Sequence, residues 1–287
     1  MVKIQITTLS GTVAVCGMRF TTVCSAAGGG GDPHFFRFQS TALEESRPRD
    51  SFHGECDLVL VKSLNFHNHA GFELQARTTI DTIYSYIEST ALKIGNDILE
   101  VSAKQLYFNG QSVEAPVRFG DVETGYEYAL IQTKTKGDKK VFVLEANSLP
   151  LVTYRIYKHY VTEAVQQWVA LSANQGLMGT LSDGCMMTRD NLPFNGPFGE
   201  YAFEWQVDTL RGDSALFVDA ERSPQLPFES CRMPTMSRPA RRLSANNSAL
   251  LRQAEDACAS AVSNDHDLSL CVDDVMATGE LELATMR

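Results

Sequence analysis

Apolar and polar positions alternate with a period of two through much of the chain. In residues 72–80, Phe72, Leu74, Ala76, Thr78 and Ile80 fall on one face and Glu73, Gln75, Arg77 and Thr79 on the other. That pattern predicts an antiparallel strand buried on one side only. An aromatic run after Gly31 and the apolar run 58–61 predict two further strands. Shorter patterned runs predict more at 84–87, 91–94, 98–101, 106–108, 126–134, 141–146, 151–157 and 165–171. Gly95-Asn96-Asp97, Asn109-Gly110 and Lys136-Gly137-Asp138 supply hairpin turns between them. Phe203 and Trp205 are expected to close the core in a last apolar strand. No long amphipathic helix interrupts this series, so the pattern predicts an all-β, antiparallel β-sandwich rather than a parallel α/β sheet.

The period changes at the C-terminal end. Leu250, Leu251, Ala254, Ala257, Cys258, Ala261 and Val262 recur at steps of three and four, one apolar face of a helix. A second helical piece around 271–277, stopped near Gly279, would return against it, with Cys258 and Cys271 stapling the hairpin. Between body and tail, Pro224, Pro227, Pro234, Pro239 and the basic cluster Arg238, Arg241 and Arg242 mark an exposed connection. The expected organisation is a leader or disordered N-terminus at 1–27, a β domain at 28–218, a linker at 219–247 and a helical, cysteine-bearing tail at 248–287. Gly28 to Gly31 reads as a flexible joint, since no Gly-Lys-Ser/Thr follows to make a phosphate loop.

Composition narrows the partners. With 25 basic and 35 acidic residues the formal net charge is −10, which argues against nucleic acid as the main partner. No apolar run reaches the roughly 20 residues of a membrane-spanning helix. Seven cysteines are dispersed without a CxxC pair, a usage that suits disulfides and an oxidising compartment.

Several motifs, in this order, carry a family resemblance: GDPHFFRF from Gly31, GECDLVLV from Gly54, IGNDILEV from Ile94, GLMG from Gly176 with RDN after it, and FEWQV from Phe203 followed by Leu216-Phe217. Together they resemble the von Willebrand factor type D domain over most of residues 31–217. The tail segments AEDACASAV and CVDDVMATGELELA resemble tails that follow such domains in some microalgal proteins. The resemblance implies an extracellular or cell-surface module for adhesion, matrix building or self-association, with protein or glycan partners. It also implies a bridge between Cys56 and Cys231 and leaves Cys185 over, as a thiol or as a link to another chain. The chain departs from the family in three places. Phe38-Gln39-Ser40 stands where many members have Phe-Asp-Gly, Met178 replaces a cysteine, and the late acidic loop keeps only Asp183, Asp190 and Asn191 as calcium donors. A calcium ion takes roughly six to eight oxygens, so these three are expected to be turn residues with calcium binding as the alternative.

Three further candidates for chemistry remain. The Asp32-Pro33 bond, followed by His34, resembles the bond that some mucin type D domains cut in themselves; the alternative is a turn with His34 packed beside the first strand. His67 and His69 could share a metal with His34 or His53, or be solvated. Asn246-Asn247-Ser248 is a formal glycosylation acceptor, and the Arg238–Arg242 stretch could be cut by a protease that reads paired basic residues. No GxSxG, HExxH or Walker pattern occurs. The chain is therefore expected to be non-enzymatic, with self-processing at Asp32-Pro33 and a calcium-stabilised binding module as the alternatives.

Overall fold

The computed structural model describes residues 4–7, 13–16, 26–30, 33–38, 49–67, 69–81, 84–121, 126–166, 171, 174–181, 185–219, 231–233, 248–261 and 265–286. The body is an antiparallel β-sandwich. Strands β1 (Ile4–Thr7) and β2 (Val13–Cys16) pair with each other. One main sheet holds β6 (Asp57–Ser63), β7 (Phe72–Asp81), β8 (Tyr84–Ile94), β9 (Asp97–Ser102), β10 (Leu106–Phe108) and β11 (Gln111–Val113), each beside its neighbour in sequence. The other holds eight strands. β12 (Val117–Asp121), β13 (Tyr126–Lys136), β14 (Lys139–Ala146), β15 (Leu149–Tyr157) and β16 (Tyr160–Gln166) form a meander. β3 (Ala26–Gly30), β4 (His34–Phe36) and β5 (Arg49–Ser51) then add to β16.

Between the sheets lies one apolar core. Leu58, Leu60, Leu74, Leu92 and Leu99 come from the first sheet and Leu130, Leu144, Val152, Val165 and Phe35 from the second. Burying side chains of this kind contributes about 1.5–3 kcal/mol each against the entropy of ordering the chain.

Four local expectations are corrected. Gly28 to Gly30 are not a joint: they lie inside β3, where Gly28, Gly29 and Gly30 pair with Phe36, Phe35 and His34. A Cβ on Gly29 would stand 2.8 Å from the Phe35 ring and 2.9 Å from Glu163 Oε1, so glycine here permits close packing rather than motion. Ala26 and Ala27 pair with Gln166 and Val165, so the boundary expected between residues 27 and 28 falls within a strand. The strand expected at 165–171 begins five residues earlier, at Tyr160. Phe203 and Trp205 do not form a strand either. Helix α1 (Phe198–Glu204) starts after Pro197 and buries Tyr201 and Ala202, with Trp205 as its C-cap. A short aromatic run fits both periods, and a proline at the helix start selects the helical one.

The largest departure concerns β7, which is buried on both faces. Its polar side is covered by the returning segment 206–219. The Gln75 amide donates to the Ser214 carbonyl (2.7 Å), the Ser214 N–H donates to Glu73 (3.1 Å), and Arg77 grips Asp57 through two hydrogen bonds of 2.8 and 2.9 Å. Leu216 and Phe217 fill the gaps against Ala91 and Ile98. On the opposite side of the molecule the tail covers the outer face of the eight-stranded sheet. Helices α2 (Ser248–Ala259) and α3 (Asp265–Thr278) and a 3-10 segment (Leu281–Met286) pack together around the Cys258–Cys271 disulfide. Leu283 closes over Tyr157 and Tyr160.

A buried carboxyl group without an ion-pair partner lies inside the sandwich. Glu163 on β16 faces the core beneath Gly29 and has no exposure. Burial raises its pKa well above the ordinary value. The backbone N–H groups of Glu163 and Gly29 pull the other way, but no donor meets either oxygen with hydrogen-bond geometry. The folded state therefore holds a proton that the unfolded chain releases near pH 4.5, and stability falls as pH rises from there toward the raised pKa. Glu163→Gln is expected to raise the melting temperature at neutral pH and to flatten its fall between pH 5 and neutrality. A wild-type melt independent of pH over that interval would refute this.

Candidate functional site

The site is built where β4, β5 and α3 meet. Register sets His34 opposite Ser51, and both lie on the outer face of the eight-stranded sheet, opposite to the core-facing Phe35. The Pro33 carbonyl accepts from the Phe52 N–H (3.2 Å), which fixes the strand just after the turn. His34 is 3% exposed. Its Nδ1 lies 2.6 Å from Ser51 Oγ and its Nε2 lies 2.9 Å from Asp274 Oδ1, a partner 240 residues away on α3. A carboxylate can only accept, so Nε2 carries a proton and donates it to Asp274. Nδ1 then accepts from the Ser51 hydroxyl when the ring is neutral and donates to it when the ring is charged. His53 lies close by; burial lowers its pKa and the charge of Asp274 raises it.

A hydroxyl, an imidazole and a carboxylate in a row are the groups used to activate a nucleophile. Here the imidazole is sealed from solvent by the tail, so a soluble substrate does not reach it. Its immediate role is to fasten the tail to the sheet. Tyr157 with Glu282 and Lys158 with Glu280 add further polar fastenings. Asp274→Ala is expected to weaken docking of the tail by about 1.5–3 kcal/mol, the range for a hydrogen bond to a charged group. Hydrogen exchange should then quicken in α3 while β7 and β8 stay protected; unchanged exchange in α3 would show that the contact does not hold the tail.

The other candidates that the structure describes do not gather into one site. Asp32, Asp183 and Asn246 lie outside the described residues, as do Arg238, Arg241 and Arg242. Asp190 is exposed and faces Arg211 at 3.7 Å, and Asn191 Oδ1 accepts from the Gln175 amide at 2.9 Å. These two are turn residues engaged with the protein. His67 is stacked between the rings of Phe66 and Tyr126, with centroids 3.6 and 3.4 Å away, and its Nδ1 meets the Tyr128 hydroxyl. Burial pushes its pKa down to about 4, so it is neutral at physiological pH. His69 turns to Asn65 instead, and among the described residues no group of three His, Cys, Asp or Glu side chains gathers as a metal site would require. Cys56 is bonded to Cys231, and Cys185 is exposed and outside both disulfides.

Ser51 and Asp274 carry no motif. Asp274 did leave a trace: it falls three residues after Cys271 and one before Val275, an acid inside the apolar stripe of its helix. Among the described residues no helix is long and apolar enough to cross a membrane. Neither a protein-family model nor a curated protein matches the sequence.

Proposed function

We propose that the chain is a non-enzymatic, extracellular or cell-surface module, built like a von Willebrand factor type D domain, that acts by adhesion, matrix building or self-association. The observation that carries this reading is the long-range disulfide between Cys56 and Cys231. It spans 175 residues, tying the entrance of β6 to residues 231–233, a closure that a reducing cytosol would not maintain. A second bridge in the tail acts in the same sense. Thiol alkylation of protein from its native source, with and without reductant, tests the reading. Four cysteines should resist until reduced; full labelling without reductant, or recovery in the cytosol, would overturn it.

A specific observation favours a second reading, self-processing at Asp32-Pro33. His34, the next residue, is held between a hydroxyl and a carboxylate at hydrogen-bond distance. In that reaction the Asp32 carboxylate attacks its own carbonyl carbon, the bond to the Pro33 nitrogen breaks as that nitrogen takes up a proton, and water opens the resulting anhydride. Incubation at mildly acidic pH would yield a new N-terminus at Pro33, slower in His34→Gln. An intact chain after prolonged incubation would dismiss it.

A further inference from the structure

At one edge of the sandwich the two sheets part. Strands β10 and β11 are three residues long, whereas β13 has eleven, so the β13–β14 hairpin overhangs the smaller sheet. The gap is a cleft of about 300 Å³ whose lining includes Lys104 and Gln105 from the β9–β10 turn, Glu114 after β11, and Gln132, Lys140 and Phe142 from the hairpin. Gln132 and Phe142 are register partners, so amide, amine and aromatic side chains converge on one space.

The charge around this cleft opposes that of the whole protein. The chain is formally −10, yet of its nine lysines Lys104 and Lys140 line the cleft, beside the acid Glu114, while Lys134, Lys136 and Lys139 lie on the other face of the hairpin. Lys139 is used against the Glu282 carbonyl and the Tyr157 ring. Lys104, Lys134, Lys136 and Lys140 form no ion pair among the described residues. Lys140 shares its face of the hairpin with its register partner Thr135, whereas Lys134 and Lys136 fall on the other face, that of Lys139. Two ammonium groups that face one space without an ion-pair partner attract an anion.

We propose that this cleft and the hairpin over it bind an acidic polysaccharide, carboxylated or sulfated, an inference that rests on the surface-module reading and gives it a ligand class. Lys104 and Lys140 take the anionic groups, which a flexible ammonium can follow without fixed geometry. The side-chain oxygens of Gln105, Gln132 and Glu114 offer acceptors for sugar hydroxyls, the two amide nitrogens being engaged with Ser112 and Thr135, and Phe142 provides an apolar floor. The volume is at the lower end for small-molecule sites and suits one short stretch of sugar. Duplex nucleic acid fits less well, since arginine is missing from the cleft and the body is acidic.

The test uses the full chain with dextran sulfate, polygalacturonate and unmodified dextran as probes. At least one acidic polymer should bind, and neutral dextran should not; which of the two binds more tightly tells sulfate from carboxylate recognition. Lys104→Glu with Lys140→Glu should weaken binding at least about tenfold, because attraction becomes repulsion at two positions. Arg252→Glu on α2 should leave binding unchanged, and Glu114→Gln should strengthen it. Both lysines are surface residues, so the melting temperature of the double variant should match wild type. Equal loss in Arg252→Glu, equal retention of duplex DNA, or binding indifferent to the Lys104 and Lys140 changes would overturn the proposal. The surface-module reading fails separately, through the thiol and localisation measurements.

Discussion

Replacing Cys56 and Cys231 together by alanine is expected to lower stability by about 5 kcal/mol, the chain-entropy value for a bridge enclosing so long a loop. The two Cα atoms are 5.3 Å apart across a separation of 175 residues. Among the described residues, few other contacts secure the far end. The Glu55 N–H donates to the Arg232 carbonyl at 2.8 Å and the two side chains pair at the surface, contacts that hold weakly once the covalent link is gone. Since domains commonly have about 5–15 kcal/mol of net stability, the variant should melt far earlier or fail to fold at 37 °C. Removing Cys258 and Cys271 is expected to cost less, about 3 kcal/mol for a short loop. Its effect should be confined to the tail, where α2 and α3 have their own small core. Urea titrations read by β-sheet circular dichroism should therefore separate the two variants. A Cys56/Cys231 variant with an unchanged midpoint would show that the closure of the loop does not matter to the body.

Arg77→Met should be the most damaging single substitution, at about 3–5 kcal/mol. Arg77 and Asp57 are both nearly inaccessible to solvent. The guanidinium also donates to the Asp219 carbonyl at 2.8 Å and lies 4.2 Å from the Phe217 ring centroid. Removing it strands the Asp57 carboxylate in a dry place and loosens the segment that covers β7. Glu100, whose pKa is raised by burial while the charge of Arg77 lowers it, would lose that support as well. Changing both partners, Asp57→Leu with Arg77→Met, should recover most of the loss, because the penalty comes from an unpaired buried charge rather than from the absence of the pair. If the double variant is as unstable as Arg77→Met alone, packing against Phe217 and Asp219 is the greater contribution.

The candidate site divides along the same line as the fold. His34 stood out in the chain because a Gly-Asp-Pro turn leads into a strand, and local turn chemistry is carried by neighbouring residues. Its partners did not stand out. Ser51 is an ordinary polar residue and Asp274 is one acid among many in the tail, and only docking of α3 on the sheet joins them. The glycines before the turn show the reverse error. A glycine run looks flexible in isolation, but in β3 it is the one side chain small enough to lie beneath Phe35 and above Glu163.

By itself the amino-acid sequence determined most of the strands and hairpin turns between residues 57 and 157 and the helical character of the tail, because periods of two and of three to four are imposed locally by backbone geometry. It also contained the cysteines whose pairs now close the body and the tail. Only the tertiary structure decided what lies on the outside of each sheet. Glu73, Gln75 and Arg77 look solvent-facing along the strand, yet they are buried, because residues more than a hundred positions later return to hydrogen-bond with each of these side chains. A polar side chain is as compatible with a hydrogen-bonded interior as with water, and which of the two it meets depends on where the rest of the chain comes to lie.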